Sequence, residues 1–356
     1  MKMRFAALAT LLLSPLMTAP GTAASLPDRV DTPAIHSPKA LQEPVLALAA
    51  AGQRVVAAGV RGHVFWSDDQ GEQWQQADVP VSSDLTDVFF VSPQRGWAVG
   101  HDGVVLRTDD GGATWQRQLD GHAIAALYAA RADTLQDDDP ELARRYRAYA
   151  EQGLNQSLLT AYFDNENEGY VAGAYNLLLR TEDGGEHWTP WLEQVDNPGA
   201  LHLYGMRRIG GQLYMAGEQG LLLRQAAPDA GFDALTSPYG GTWFGLAGYD
   251  DVLLVYGLRG NVWVSHDQGA SWQASALDSH AAITGASVLP AGDILLVSQS
   301  GVLFRSSDRA RSFSPVSLPV RFSFFDVLAL SADRVVVAGL SGLRALPLPG
   351  RARGEQ

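Results

Sequence analysis

One short element recurs through this chain at a nearly constant spacing. A Gly-x-x-Gly sequence or its equivalent begins at Gly59, Gly100, Gly173, Gly217, Gly257, Ser298 and Gly339. The steps between these positions are 41, 73, 44, 40, 41 and 41 residues. Self-similarity with a period of 20 to 50 residues is the sequence signature of propellers and solenoids. The chain therefore contains seven repeat units, one of which carries an insertion.

Each unit is predicted to consist of short strands. Apolar runs such as TDVFFVS and RGWAVG precede the element, GVVLRT follows it, and turn residues separate the runs. Short alternating or apolar runs bounded by turn residues predict strands. Four strands per unit of about 41 residues are typical of a propeller blade. We therefore predict an all-β, seven-bladed β-propeller that forms one domain over residues 25–350.

The two ends of the chain suggest how the ring closes. The seventh unit has residues for three strands only, and the stretch SLPDRVDTPAIHS precedes the inner strand of the first unit. We expect this stretch to supply the outer strand of the seventh blade. Pro27 and Pro33 are compatible with that position, because one side of an outermost strand needs no ladder partners.

A second motif, Ser/Thr-x-Asp-x-Gly-x-x-Trp, resembles the Asp-box of bacterial neuraminidase repeats, which lies between the third and fourth strands of a blade. Its copies are Ser67/Asp69/Gly71/Trp74, Thr108/Asp110/Gly112/Trp115, Thr181/Asp183/Gly185/Trp188 and Ser265/Asp267/Gly269/Trp272, with a weaker copy ending at Phe313. The hydroxyl and carboxylate can bond to turn amides, the glycine can adopt a positive φ, and the tryptophan can pack on the hairpin. Because ring symmetry separates the four copies, we predict a structural role rather than a single active site.

The long step between the second and third units contains a helical pattern. Leu142, Tyr146 and Tyr149 are spaced for one helix face, and Asp139-Pro140-Glu141 provides an N-cap, a first-turn proline and an early acid. We predict a helical hairpin over residues 122–153, inserted between blades 2 and 3. The strand connectivity places it on the same face as the Gly-x-x-Gly turns, opposite the Asp-box turns.

That face is the predicted binding surface. Its candidate residues are Arg61, His101, Asp102, Tyr175, Glu218, Gln219, Arg259 and Gln299 in the turns, with Arg144, Arg145 and Arg147 in the insertion. Loops on a rigid scaffold commonly carry function. Tyr175, Arg61 and Arg259 are the expected anchors for a partner. The alternative is that all of these are ordinary solvated turn residues.

A row of arginines precedes the Asp-box turns: Arg107, Arg180, Arg224 and Arg305. These side chains form either a shared positive stripe or, as we expect, local ion pairs and aromatic stacking within each blade.

The run GWAVGHDGVVLRTDDGGATW at residues 96–115 makes the chain resemble the photosystem II stability and assembly factor family of neuraminidase-repeat propellers. The resemblance covers about residues 41–346. It implies a seven-bladed propeller that acts as a non-enzymatic, chaperone-like scaffold in the early assembly of a membrane reaction-centre complex. The chain departs from the family in its insertion of 32 residues and in having no cysteine for a lipid anchor.

Two other functions stay open. Asp-box propellers include sialidases, so a glycoside hydrolase is one alternative, although the Arg-Ile-Pro landmark expected near a sialidase N-terminus is absent. An accessory subunit of an envelope transport system is the other. The sequence has no His-Glu-x-x-His, Gly-x-Ser-x-Gly or phosphate-loop motif and no histidine spacing for a metal, so we expect no cofactor and no metal.

Composition and the N-terminus indicate the compartment. Lys2 and Arg4 precede an apolar run from Phe5 to Met17 and then small residues, which predicts a signal peptide over residues 1–24, cleaved after Ala23 or Ala24. The chain has no cysteine and a net charge of −13, which disfavours disulfides and nucleic-acid binding. We expect a monomeric periplasmic protein that is not inserted in the membrane after cleavage, binds a membrane or exported protein complex, and has a disordered tail at residues 351–356.

Overall fold

The repeat units fold into seven antiparallel sheets. The computed structural model describes residues 28–151 and 153–350. The predicted signal peptide and the predicted C-terminal tail lie outside these residues. The first strands of sheets 1 to 7 are Val45–Ala51, Leu85–Phe90, Leu158–Phe163, Leu203–Ile209, Trp243–Tyr249, Ile283–Val288 and Phe324–Ser331. Each first strand contacts the first strand of the next sheet, and that of sheet 7 contacts that of sheet 1, so the sheets form a closed ring.

The remaining strands follow outward in chain order within each sheet. The second strands are Arg54–Gly59, Gly96–Gly100, Gly169–Gly173, Gln212–Gly217, Val252–Gly257, Ile294–Ser298 and Arg334–Gly339. The third strands are Val64–Ser67, Val105–Thr108, Leu178–Thr181, Leu222–Gln225, Val262–Ser265, Leu303–Ser306 and Gly342–Pro347. Short fourth strands complete sheets 1 to 6: Gln75–Gln76, Gln116–Leu119, Thr189–Pro190, Asp233–Ala234, Gln273–Ala274 and Ser312–Val316. In sheet 6 the strand Ala276–Leu277 pairs in parallel with the fourth strand.

The recurring glycine ends the second strand in six of the seven described sheets, with Ser298 in sheet 6, and the backbone makes a close approach at this position. A Cβ atom on Gly100 would lie 2.1 Å from the Asp84 carbonyl oxygen, and one on Gly173 would lie 2.0 Å from that of Ser157. The next residue donates its N–H to the same carbonyl, as His101 does to Asp84 at 2.9 Å. The equivalent bond forms in all seven sheets. The period of the sequence is therefore the period of this contact, which ties each turn to the start of its own sheet.

The predicted closing strand is wrong for the described residues. Sheet 7 has three strands, and the N-terminal stretch lies instead beside sheets 1 and 2. It forms the 3₁₀ turns Arg29–Asp31 and Ala40–Gln42, and the Ala34 N–H donates to the Val79 carbonyl at 3.0 Å. The physical reason is burial, because Val30 and Ala34 pack in the apolar cluster shared by sheets 1 and 2. Asp326 instead spans the seam of the ring: its carboxylate accepts the Leu48 N–H at 2.9 Å.

The insertion contains two helices, α1 (Gly121–Leu135) and α2 (Pro140–Ala150). The side chains of Asp120 and Asp139 cap their N-termini. Tyr128 and Tyr146 are fully buried between the helices and sheet 3, and the Tyr149 hydroxyl donates to the Tyr175 carbonyl. The hairpin therefore packs against sheets 2 and 3 beside the Tyr175 turn. No helix in the part of the chain that the structure describes is long and apolar enough to cross a membrane.

The Ser/Thr-x-Asp turns join the third and fourth strands by local hydrogen bonds. In the second copy, Thr108 Oγ1 donates to Asp110 Oδ1 at 2.8 Å and accepts the Gly112 N–H at 2.9 Å. The same two bonds recur in the other three copies, where the hydroxyls of Ser67, Thr181 and Ser265 donate to Asp69, Asp183 and Asp267 and accept the N–H groups of Gly71, Gly185 and Gly269. The carboxylates of these aspartates are therefore engaged in hydrogen bonds within their own turns.

The glycines and tryptophans of this motif were predicted to act within their own hairpin, but they also contact the neighbouring sheet. Each glycine has a φ between 83° and 89°, and an added Cβ atom would meet a side chain of the preceding repeat unit, most closely at Gly185, 2.2 Å from Gln118. The four glycines are Gly71, Gly112, Gly185 and Gly269. The tryptophans Trp74, Trp115, Trp188 and Trp272 likewise lie in or against apolar clusters that join two neighbouring sheets.

The indole hydrogen bond is not common to all four copies. Trp74 Nε1 donates to the Gly71 carbonyl at 3.1 Å, and Trp115 Nε1 donates to that of Gly112 at 3.0 Å. The Nε1 atoms of Trp188 and Trp272 have no hydrogen-bond partner in the described residues. Packing between sheets, rather than on the hairpin alone, is what the four tryptophans share.

The weaker copy at Ser306 makes the same turn bonds. Ser306 Oγ donates to Asp308 Oδ1 at 2.8 Å and accepts the Ala310 N–H at 3.0 Å. Ala310 stands where the other copies have glycine and adopts a φ of 64°. This turn therefore keeps its hydrogen bonds at the expense of an unfavourable backbone conformation.

Candidate protein-docking face

The turns between the second and third strands define one face of the ring, which we call the turn face. In sheets 1 to 5 these turns are the 3₁₀ segments Val60–Gly62, His101–Gly103, Ala174–Asn176, Glu218–Gly220 and Leu258–Gly260. The middle residue of each has a positive φ between 51° and 60° although none is glycine. Such conformations cost about 1–2 kcal/mol per residue. The fold therefore holds Arg61, Asp102, Tyr175, Gln219 and Arg259 in equivalent positions around the ring.

Several of the predicted binding residues are engaged in contacts with the start of a sheet, which is the next sheet for His101 and their own sheet for Asp102 and Glu218. His101 Nδ1 lies 2.9 Å from Ser157 Oγ, and Asp102 accepts the Ser83 hydroxyl at 2.7 Å. Glu218 accepts the His202 N–H at 3.0 Å. These three side chains contribute to the packing of the ring and are only partly available to a ligand.

Other predicted residues point into solvent. Tyr175 is 53% exposed, with the edge of its ring packed against His202 at 4.5 Å between centroids. Arg259 and Gln299 are exposed, and no hydrogen bond or ion pair occupies their side chains within the described residues. On helix α2, Arg144 and Arg145 are exposed and unpaired in the same sense, whereas Arg147 pairs with Asp133 at 2.9 Å.

The exposed large apolar side chains of the described residues all lie on the turn face. They are Ile35 at 74%, Leu340 at 56%, Tyr175 at 53% and Leu258 at 36% exposure. Leu258 and Leu340 occupy the same position in the turns of sheets 5 and 7, and Ile35 lies beside the turn of sheet 1. Exposed apolar residues confined to one face mark an interaction site more specifically than residues scattered over the surface.

A groove of about 1030 Å³ runs beside Ile35 between the N-terminal stretch and the turn of sheet 1. Arg61, which is 70% exposed, lines it and pairs with Glu43 at 3.0 Å. His63 lies beneath, with its Nδ1 3.6 Å from the second oxygen of Glu43, and both atoms lack a hydrogen-bond partner in the described residues. Burial lowers the pKa of His63 although Glu43 opposes the shift.

Sequence reasoning missed this groove and three of the four apolar residues. The leucines follow the glycines of two repeats, so their position in the repeat was a usable signal. The exposure of Ile35 could not be predicted from the repeat, because the N-terminal stretch that contains it was assigned to the wrong sheet.

The arginine row lies on the opposite face and joins neighbouring sheets rather than stabilising only its own. Arg107 pairs with Glu186 of the next sheet at 2.8 Å. Arg180 contacts Asp229 and stacks over Trp191, with its guanidinium carbon 4.8 Å from the ring centroid. Arg305 pairs with Asp293 of its own sheet at 2.6 Å, and Arg224 reaches the Gln268 carbonyl at 3.4 Å. With these bonds made, the row is not a free positive stripe.

The described residues contain no group of three or more His, Cys, Asp or Glu side chains placed to hold a metal ion. The features that remain are a closed ring of antiparallel sheets and a face with fixed, partly apolar turns. This architecture defines the class: the protein has an all-β, propeller-like fold.

The family model described as "Photosynthesis system II assembly factor YCF48" matches residues 52–132 and 143–316, and the chain belongs to that family. Among characterised relatives, the "Photosystem II assembly lipoprotein Ycf48" of Synechococcus sp. (strain CC9902) is 29% identical over 131 residues, which is 36% of this chain and 30% of the relative. The "Photosystem II assembly protein Ycf48" of Synechococcus sp. (strain JA-2-3B'a(2-13)) is 30% identical over 35% of this chain and 41% of its own. The matched region thus spans about a third of these relatives.

Solved structures support the fold over a larger part of the chain. The structure described as "YCF48 from Cyanidioschyzon merolae" has a TM-score of 0.63 and 14% identity, covering 86% of this chain and 96% of its own. The structure described as "YCF48 bound to D1 peptide" has a TM-score of 0.62 and 15% identity over 91% and 99%. The WD40 propeller domain of Doa1 has a TM-score of 0.61 and 12% identity over 92% and 99%. The family model confirms the photosystem II assembly family expected from residues 96–115.

Proposed function

We propose that this chain is a seven-bladed propeller with Asp-box turns that acts as a non-enzymatic assembly factor and binds an exposed segment of a membrane protein through its turn face. The observation that carries the proposal is that Ile35, Tyr175, Leu258 and Leu340 are exposed on that one face. Burying such a side chain contributes about 1.5–3 kcal/mol. The related structure with a bound D1 peptide supports a peptide segment as the kind of ligand.

The charges around the apolar residues favour a ligand with acidic as well as apolar groups. Arg259 has no partner of its own among the described side chains, and Arg144 and Arg145 extend from α2 beside the Tyr175 turn. Aromatic and arginine side chains are the common anchors of protein interfaces. Tyr175 and Arg259 are therefore the anchors we assign, with Arg61 held at the rim of the groove by Glu43.

The proposal includes the compartment. A signal peptide at residues 1–24 would export the chain, and a periplasmic or lumenal location is consistent with a relative that is named a lipoprotein. The absence of cysteine from this sequence leaves no residue for a lipid anchor of its own. We infer a protein that meets the extramembrane segments of its partner from the exported side.

A hydrolytic role is less well supported. Pockets that bind small molecules usually measure about 300–1,000 Å³, whereas the chamber at the turn-face mouth of the central channel measures about 120 Å³ and the channel cavity that shares Arg207, Tyr256 and Asp326 with it about 270 Å³. In the larger groove beside Ile35, the charged groups Arg61 and His63 both face Glu43. A role in an envelope transport system uses the same face with a different partner, and the partner's identity distinguishes it.

The test is a binding titration with fluorescently labelled peptides. The first is a D1 peptide, and the others cover the exported segments of the membrane proteins encoded in the same genome. A triple variant with Tyr175→Ser, Leu258→Ser and Leu340→Ser should bind the peptide with an affinity about tenfold lower or more, because about 1.4 kcal/mol corresponds to tenfold in affinity. The control carries Gln73→Ser and Ala270→Ser, two exposed positions in Ser/Thr-x-Asp turns on the opposite face.

Equal weakening by the control, or no weakening by the triple variant, would assign the interface to another surface. Binding of only a transport-protein segment would support the transport alternative.

A further inference from the structure

The turn-face mouth of the central channel has an apolar collar. The second residue of every first strand lines it, and five of the seven are apolar or aromatic: Leu46, Leu159, Tyr204, Phe244 and Phe325. Each of these five is half-buried, so each retains surface open to the mouth. Aromatic contacts link the collar to the outer turns, from Phe244 through Tyr204 and His202 to Tyr175, with centroid separations of 5.8, 6.2 and 4.5 Å.

Directly below the collar the wall changes from apolar to acidic. The first strands shift register near their starts, and the residues that follow the shift in sheets 2 and 7 are Asp87 and Asp326. Asp87 accepts the Thr160 hydroxyl and the Ala161 N–H, each at 3.0 Å. Asp326 accepts the N–H groups of Leu48 and Val327 at 2.9 and 2.8 Å. These bonds leave further lone pairs on both carboxylates.

The charge in this chamber is unbalanced. Arg207 lines it too: its guanidinium donates to the Met206 carbonyl at 2.7 Å, and its positive charge acts against burial to lower the pKa of both carboxyls. Within the described part of the chain no basic side chain lies within 4 Å of either carboxylate. Two carboxylates and one guanidinium leave a net charge of −1 when all are ionised. Burial raises the pKa of both aspartates, and that of Asp326 is raised to about 7.

Tyr256 provides an independent observation. It is 8% exposed, it lines the chamber, and its hydroxyl has no hydrogen-bond partner in the described residues. The hydroxyl extends over Gly245 on the channel wall, where an added Cβ atom would lie 2.3 Å from it. The side chain is mostly buried, and its hydroxyl oxygen keeps surface open to the chamber. This hydroxyl is free to bond with a group that enters from the mouth.

We propose that the channel mouth binds the side chain of a lysine presented by the partner, its aliphatic stem against the collar and its ammonium against Asp87, Asp326 and the Tyr256 hydroxyl. An ammonium neutralises the remaining negative charge. Lysine places a compact charge on an apolar stem, whereas the arginine head is broader and planar. The proposal rests on the proposed docking face and names a feature of the ligand that this face receives.

The first experiment uses n-butylammonium as a probe and requires no partner. Calorimetric titration compares it with n-butanol, which has the stem without the charge, and with potassium, which has the charge without the stem. We expect n-butylammonium to bind at least tenfold more tightly than either. Asp326→Asn should weaken it by about tenfold, the loss of one charge-assisted contact, and Tyr256→Phe by a smaller factor. Asp137→Asn, an exposed carboxylate in the link between α1 and α2, is the matched control.

The pH dependence gives a second readout. Binding should tighten from pH 6 to pH 8 as the Asp326 carboxyl ionises beside Asp87, Arg207 and Tyr256, and the tightening should disappear in Asp326→Asn. Should that variant fail to fold by near-ultraviolet circular dichroism, Asp87→Asn and Tyr256→Phe carry the same comparison.

Equal binding of n-butanol, or n-butylammonium binding that no channel variant changes, would overturn the proposal. The second experiment replaces the lysines of a bound partner peptide by alanine. A loss of about tenfold supports the partner lysine as the source, and unchanged affinity overturns that assignment. Loss of peptide binding in the Tyr175, Leu258 and Leu340 variant tests the docking face separately.

Discussion

Replacing Asp326 by asparagine should remove a specific pH dependence from the stability of the protein. The folded-state pKa of Asp326 is about 7, against an ordinary value of 3.8, with burial as the largest cause. The native state therefore holds a proton that the unfolded state releases at lower pH. The native state is favoured while this proton stays bound, and that advantage is lost as the pH rises from about 4 towards 7 and above.

The magnitude follows from the separation of the two pKa values. One unit corresponds to about 1.4 kcal/mol. Between pH 5 and pH 8 the Asp326 carboxyl should lower the free energy of unfolding by about 2–3 kcal/mol. Because Asp326 keeps some surface open to the channel, this figure is an upper limit. Ionisation of Asp87 should also lower the free energy of unfolding as the pH rises, since burial raises its pKa. His63 should have the opposite effect on the free energy of unfolding, because its pKa is lowered.

The assay is urea unfolding of the wild type and of Asp326→Asn at pH 5, 6.5 and 8. Taking the difference between the two proteins at each pH removes the contributions that they share. We expect Asp326→Asn to gain stability relative to the wild type as the pH rises, by up to about 2–3 kcal/mol between the end points. A difference independent of pH, within about 0.5 kcal/mol, would refute the burial argument. Asp137→Asn is the matched control and should show no such change.

Three further substitutions test how the scaffold is held together. Thr108→Val removes the hydroxyl that accepts the Gly112 N–H at 2.9 Å. Leaving that buried donor unpaired should lower the free energy of unfolding by about 1–3 kcal/mol. A loss below about 0.5 kcal/mol in urea unfolding would show that the turn bonds are dispensable. Tyr128→Ala empties a fully buried site beneath the helical insertion. We expect the free energy of unfolding to fall by about 3–5 kcal/mol and amide hydrogen exchange to become faster in both helices. Unchanged exchange would contradict the packing described. Gly62→Ala places a Cβ atom 2.0 Å from the Val81 carbonyl oxygen at a φ of +71°, so thermal unfolding should show a loss of more than about 1 kcal/mol, and a neutral result would mean that this turn adjusts freely.

The repeat in the sequence predicted the main features of the fold because it reflects a contact made in every sheet. Glycines such as Gly100 and Gly173 lie against the carbonyl of a residue just before the first strand of their sheet. Their spacing therefore predicted where each sheet lies along the chain. The Asp139-Pro140 pair likewise predicted the start of α2, where the Asp139 side chain caps the helix. Local backbone requirements of this kind leave readable signals.

What the sequence did not reveal depends on contacts distant along the chain. The N-terminal stretch has no strand pairing of its own and follows the burial of Val30 and Ala34 beside sheets 1 and 2. Asp87 and Asp326 are ordinary acidic residues in the sequence, and only the closed ring brings them to one channel. His101, Asp102 and Glu218 were predicted to face a partner, and the sequence did not reveal that His101 also contacts the start of sheet 3 and that Asp102 and Glu218 accept hydrogen bonds at the start of their own sheets.

The most direct measurement of the central claim is site-specific photo-crosslinking in membranes. A benzophenone side chain is placed at Leu258 or Leu340 on the turn face, and at Gln73 or Ala270 on the opposite face. We expect the turn-face positions to crosslink to an extramembrane segment of a membrane protein, identified by mass spectrometry, and the opposite-face positions not to crosslink. Crosslinks to that protein from Gln73 or Ala270, with none from Leu258 or Leu340, would contradict the central claim.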